Sequence, residues 1–139
     1  MIVRRRSGES RAAFGARDRA NLYAKEAMKR LGSQEAHDAT LEGICTYLRL
    51  VAKIPCSKIN QRPVETSKGW RCPGAIKGFP DLVGVIPPHG RVLLVEVKSG
   101  GAVLRPDQRD VGDEWAKAGA LFVVARSVDD VINALDPGD

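Results

Sequence analysis

Residues 79–98, Phe-Pro-Asp-Leu-Val-Gly-Val-Ile-Pro-Pro-His-Gly-Arg-Val-Leu-Leu-Val-Glu-Val-Lys, leave the backbone few options. Two apolar runs flank a Pro-Pro-His-Gly turn, which is the pattern of a β-hairpin. If Ile86 pairs with Arg91 across the turn, paired residue numbers add to 177 and Asp81 falls opposite Glu96. Directly opposed side chains have Cβ atoms roughly 5 Å apart, close enough for two carboxylates to share one cation. Lys98 follows Glu96 by two residues and so lies on the same face of the strand. Two carboxylates and an ammonium therefore converge at the end of a hairpin made otherwise of Val, Leu and Ile. A hard divalent cation with oxygen ligands suits that arrangement, and a lysine beside it can assist chemistry at a phosphate. The alternative is a surface carboxylate pair with Lys98 as its counter-ion.

At 139 residues the chain is of single-domain size and can bury one core without staples. No apolar run has membrane-spanning length, which argues for a soluble protein with no membrane partner. Met1-Ile-Val is followed at once by Arg4, Arg5 and Arg6, leaving no signal-peptide core and arguing against export. Cys45, Cys56 and Cys72 are odd in number and contain no Cys-x-x-Cys pair, which suits reduced thiols in a cytoplasmic protein of bacterial or phage type. No spacing of these cysteines with His37 or His89 resembles a structural zinc site. The net charge of +5 is uneven, because residues 1–32 hold nine Lys/Arg against three acidic residues. The chain thus reads as a basic N-terminal arm (1–32) on a near-neutral domain (33–139). Such an arm favours a polyanion through counterion release, with a solvated basic helix as the plain alternative.

Alanine spacing predicts a helix over 11–31 closed by Gly32. Ser33 can cap a second helix, about 34–52, with Leu41, Ile44, Cys45, Leu48, Val51 and Ala52 as its apolar stripe. Residues 54–66 read as a strand or ragged hairpin arm interrupted by Pro55 and Pro63, and 66–79 as a surface loop. After the hairpin, Pro106 starts a helix that ends near Ala118, with Gly119 as its stop. Leu121–Ala125 is a short apolar run expected to be covered on both faces. Ser127 and Asp130 form a capping-box pattern opening a last helix to about Leu135. The order predicts an α/β fold with a mixed central sheet flanked by helices.

Pro80-Asp81, 14 intervening residues and Glu96-Val97-Lys98 resemble the signature of the PD-(D/E)xK nuclease superfamily. Gly78-Phe-Pro-Asp-Leu resembles the G-x-P-D-L of its VRR-NUC family, and Val95-Glu-Val-Lys resembles that family's E-V-K. Leu104-Arg-Pro-Asp-Gln108 resembles its L-S-x-x-Q helix start, ahead of Trp115, with Arg105 where a serine would cap the helix. The resemblance spans about residues 35–135. It implies a restriction-endonuclease-like core in which Asp81, Glu96 and the Val97 carbonyl hold Mg2+ or Mn2+. Lys98 would position or activate the attacking water, or stabilise charge at the scissile phosphate. The family carries an acidic residue in the preceding helix, where Glu42 stands; it would complete the metal site directly or through water. Spacing alone does not separate Glu42 from Glu35 or Asp38. Gln108 would hydrogen-bond near the metal or a phosphate, where otherwise it could simply cap backbone groups.

Lys68, Trp70, Arg71 and Lys77 precede Asp81 and combine aromatic and basic side chains in the manner of nucleic-acid contacts; a Trp packed within its own loop is the other reading. The implied activity is a metal-dependent, structure-selective DNA endonuclease acting on branched or Holliday-junction-like DNA. The alternatives are a sequence-specific restriction-type nuclease or a non-catalytic DNA-binding subunit. A junction has two-fold symmetry, and two cuts call for a homodimer. Leu121, Phe122, Val131, Ile132 and Leu135 offer an apolar surplus that would serve such an interface.

Overall fold

The computed structural model describes residues 15, 18–22, 33–59, 64–71 and 75–136. Its elements run α1 (Ser33–Leu50), β1 (Cys56–Lys58), β2 (Val64–Thr66), β3 (Gly69–Arg71), β4 (Leu82–Ile86), β5 (Arg91–Val97), α2 (Pro106–Lys117), β6 (Leu121–Ala125) and α3 (Val128–Leu135). The hairpin forms in the expected register, from Ile86 opposite Arg91 to Leu82 opposite Val95. Strand β1 adds to β4 antiparallel and β6 adds to β5 parallel, giving the order β1-β4-β5-β6. Parallel neighbours need a crossover, and α2 supplies it.

The two-residue period of β5 divides the core. Leu93, Val95 and Val97 are fully buried in one cluster with Leu41, Ile44, Cys45 and Leu48 of α1 and Val128, Val131 and Ile132 of α3. On the opposite face Phe122 packs over Gly112 of α2, where an added Cβ would lie 2.2 Å from the ring. The sheet is thus layered between α1 with α3 and α2, the mixed α/β arrangement of a restriction-endonuclease-like core. Burial drives the thiol of Cys45 up to about 12; Cys45 and Cys56 are free thiols, and Cys72 lies outside the described residues.

Several expectations need correction. The stretch 66–79 is more than a loop, since β3 pairs with β2 in a separate two-stranded hairpin. Strand β6 is covered on both faces as expected, by α3 on one and α2 on the other, but it stands at the sheet edge among the described residues and Val124 is 37% exposed. The apolar surplus is consumed internally. Val131 and Ile132 are buried, Leu121 and Leu135 pack against the core, and Phe122 covers Gly112. Ser127 makes no side-chain cap; Asp130 instead accepts the Arg126 N–H at 2.8 Å, one residue earlier. Of the helix expected over 11–31, residues 15 and 18–22 are helical and the rest lies outside the described residues, as does Pro63. Ala20 is buried and Asn21 donates to Asp129 at 3.1 Å, tying this stretch to α3. None of the described helices is long and apolar enough to cross a membrane.

Candidate active site

Asp81 ends a segment whose path is fixed before the strand begins. Gly78 adopts φ +87°, and a Cβ there would meet the Asp107 carbonyl oxygen at 2.6 Å, so the chain passes the start of α2 only as glycine. Phe79 meets Trp115 of α2 edge to face at 5.2 Å, and Pro80 is fully buried. The Asp81 carbonyl then accepts the Ile59 N–H at 2.8 Å, just beyond β1. The side chain is held as firmly. Lys98 N–H turns toward β6 and bonds to Ala125 at 3.0 Å, so the Val97 N–H points the opposite way, past the end of β4. With no strand there to take it, that N–H donates to Asp81 Oδ2 at 2.8 Å.

Glu96 is one of three buried polar or charged side chains among the described residues, with Gln108 and Thr40. Burial pushes its carboxyl up to about 7, the nearby Asp81 charge adds to the shift, and the Lys98 ammonium opposes it. Gln108 organises this group from the first turn of α2. Its Nε2 donates to Glu96 Oε1 at 3.0 Å, while its Oε1 accepts Lys98 Nζ at 2.8 Å and the Arg105 N–H at 3.0 Å. A guanidinium cannot accept a hydrogen bond, so Arg105 cannot accept from the first-turn amides as a serine would, and only the reciprocal half of the cap forms, Gln108 accepting the Arg105 N–H. One side-chain amide thus serves the helix start and binds both charged groups. Lys98 Nζ lies 3.6 Å from Glu96 Oε1.

Helix α1 presents Gln34, His37, Asp38, Leu41 and Glu42 to the same space. His37 Nε2 lies 3.2 Å from Asp81 Oδ2, and that hydrogen bond raises the imidazole pKa against the lowering effect of burial. Glu42 is half-exposed and accepts Lys58 Nζ at 2.7 Å, an ion pair that raises the lysine pKa. Together these groups line a cavity of about 790 Å³.

Six candidates, Glu42, Asp81, Glu96, Val97, Lys98 and Gln108, meet at this cavity. Of the others, Lys68, Trp70 and Lys77 do not line it. Lys68 and Trp70 lie on the β2–β3 hairpin, where Trp70 is 70% exposed and so does not pack within its own loop. Arg71 is on β3, Lys77 is exposed before Gly78, and Arg4, Arg5 and Arg6 lie outside the described residues. Sequence reasoning overlooked His37, Lys58 and Arg105 as lining residues. The first had a legible signal. Positions 34, 37, 38, 41 and 42 follow the i, i+3, i+4, i+7, i+8 spacing of one helical face, which includes Glu42 and leaves out Glu35.

Among the described residues no group of three or more His, Cys, Asp and Glu side chains converges tightly enough to hold a metal ion alone. Two repelling carboxylates with hard oxygen donors nevertheless fit a divalent cation that draws its remaining ligands from backbone carbonyl, water and substrate. Comparison with curated proteins and with solved structures returns no match. The model of the VRR-NUC domain matches residues 49–129, a stretch that contains Asp81, Glu96, Lys98 and Gln108 and more than half of the chain, which therefore belongs to the VRR-NUC nuclease family.

Proposed function

We propose that this nuclease is a metal-dependent DNA endonuclease selective for branched DNA, with Asp81, Glu96 and Lys98 as its reacting centre. The observation that carries the reading is the convergence of both carboxylates and the ammonium on one cavity, with Gln108 bonded to Glu96 and to Lys98. Asp81, Glu96 and the Val97 carbonyl would hold Mg2+ or Mn2+, with Glu42 contributing directly or through water after parting from Lys58. The ion supplies Lewis-acid polarisation of the phosphate and a water of lowered pKa. Lys98, kept in place by Gln108, orients that water or meets the charge that develops on the phosphate. Glu96, buried and negatively repelled by Asp81, is the group whose ionisation a cation most favours.

DNA contacts fall to Lys68, Trp70, Arg71 and Lys77 around the β2–β3 hairpin and to Arg4, Arg5 and Arg6 at the start of the basic segment 1–32, which Ala20 and Asn21 join to the domain 33–139. The exposure of Trp70 supports a stacking role, since a large apolar ring left in water gains most from a base laid against it. A cytoplasmic homodimer is the form suited to a four-way junction. Its support is symmetry, two opposed strands matched by two sites, and not surplus apolar surface.

The test is cleavage of flaps, forks, splayed arms, four-way junctions and plain duplex with Mg2+ or Mn2+. Asp81→Ala and Glu96→Ala are expected to abolish cutting while DNA binding persists, and EDTA to do the same. Activity in EDTA, or full activity of either variant, defeats the metal reading. A preference for one sequence in plain duplex replaces branch selectivity with the restriction-type reading. On a cruciform plasmid a dimer linearises the circle in one binding event, and a monomeric mass by light scattering with nicked circles accumulating first defeats the homodimer.

A further inference from the structure

Nothing in the mechanism above gives His37 a task, and α1 lies almost entirely before the stretch that matches the family. Yet His37 reaches from α1 to Asp81. Its two ring nitrogens face two carboxylates: Nε2 lies 3.2 Å from Asp81 Oδ2 and Nδ1 lies 3.4 Å from Asp38 Oδ1. Asp38 is itself steadied by Gln34 Nε2 at 3.1 Å, one helical turn away. Glu42, the acid of the same helix, is engaged elsewhere by Lys58.

Among the described residues the Asp81 carboxylate accepts two hydrogen bonds, both on Oδ2. One comes from the Val97 amide on β5 and the other from His37 on α1. A carboxylate held by one donor still rotates about its Cβ–Cγ bond and can exchange its oxygens. A second donor from another layer of the fold fixes the plane and leaves Oδ1 for the cavity.

We propose that His37 is a positioning residue that, with the Val97 amide, clamps Asp81 Oδ2 and aims Oδ1 at the bound cation. The inference rests on the metal-dependent reading of the same site. Partners that orient a ligating carboxylate change metal affinity by about 10–100-fold when removed, and an effect of that size is expected here.

The experiment is a Mn2+ titration of the full chain without DNA, followed by water-proton relaxation, with circular dichroism reporting the fold. His37→Ala weakens Mn2+ binding by about tenfold or more. His37→Gln, whose amide N–H reaches the place of Nε2, restores affinity to near wild type. His37→Asn, whose shorter amide reproduces only the Nδ1 position, does not. Should the alanine variant not fold, the contrast between Gln and Asn decides. Asp81→Asn separates the two levels of the argument. If it loses Mn2+ while His37→Ala binds as wild type, or if Gln rescues no better than Asn, the positioning role is overturned. If Asp81→Asn binds Mn2+ as tightly as wild type, the metal reading beneath it fails as well.

Discussion

Replacing Glu96 by glutamine is expected to make the metal-free protein more stable and catalytically dead at once. The carboxyl has its pKa raised to about 7, against 4.5 for an ordinary glutamate. The folded state therefore holds the proton more tightly than the unfolded state. Stability is highest below the unfolded value and is lost as pH rises through the folded one. A shift of that size costs at most about 3.4 kcal/mol of stability once both states are ionised, at about 1.36 kcal/mol per unit. Water reaching the cavity limits the loss to about 2–3 kcal/mol at pH 8, against about 1 kcal/mol at pH 5.5. Glutamine keeps an oxygen to accept the Gln108 Nε2 bond now made at 3.0 Å, and carries no charge to be buried or repelled. Urea unfolding of both proteins in EDTA at pH 5.5 and pH 8 measures the difference. The glutamine variant should gain about 1–2 kcal/mol on wild type between the two pH values. Mg2+ should then stabilise wild type and leave the variant unchanged, reversing the order. Parallel pH profiles, or a variant less stable at pH 8, would refute the account of Glu96 as a buried, repelled carboxylate.

Two further outcomes follow from the geometry. Gly78→Ala forces a side chain into a positive-φ position and against the Asp107 carbonyl, so denaturant melts should show a loss of about 2–4 kcal/mol, with cleavage falling as Asp81 shifts; wild-type stability would mean the passage is looser than described. Deleting residues 1–10 removes Arg4, Arg5 and Arg6 without touching Ala20 or Asn21, which pack on the domain; the log–log salt slope of duplex binding should flatten by up to about 2.7, at roughly 0.9 per phosphate contact, and an unchanged slope would assign the arm to something other than DNA.

The core of the site was legible because a hairpin is a local object. Turn length fixed the register, and register fixed that Asp81, Glu96 and Lys98 share one end of the sheet. Gln108 was legible as a type and a place, but its double bonding was not, because that depends on how α2 lies across β5. His37 was readable from helical periodicity yet passed over, since the same helix carries several polar residues and sequence does not show which face meets a cavity. The surplus assigned to β6 and α3 failed for a different reason. Apolar content says how much must be buried, not which layer buries it, and Gly112 leaves a recess that the Phe122 ring fills. Strand β3 was hidden by its Gly and Lys neighbours, which read as loop although Ser67-Lys68 make the tight turn of a small hairpin and Gly69, at φ +104°, opens the return strand.

Strand β5 outruns β4 by two residues at the Asp81 end, and the amide so exposed grips a side chain. The hairpin thereby acts as a ruler. Its zero mark is the turn at Pro87–Gly90, about 17 Å away at roughly 3.4 Å per residue. One residue inserted in that turn would slide β5 against β4, offer Asp81 a different amide and carry Glu96 to the opposite face. The most distant part of the hairpin, far from any reacting atom, is thus what decides which residues stand together at the cavity.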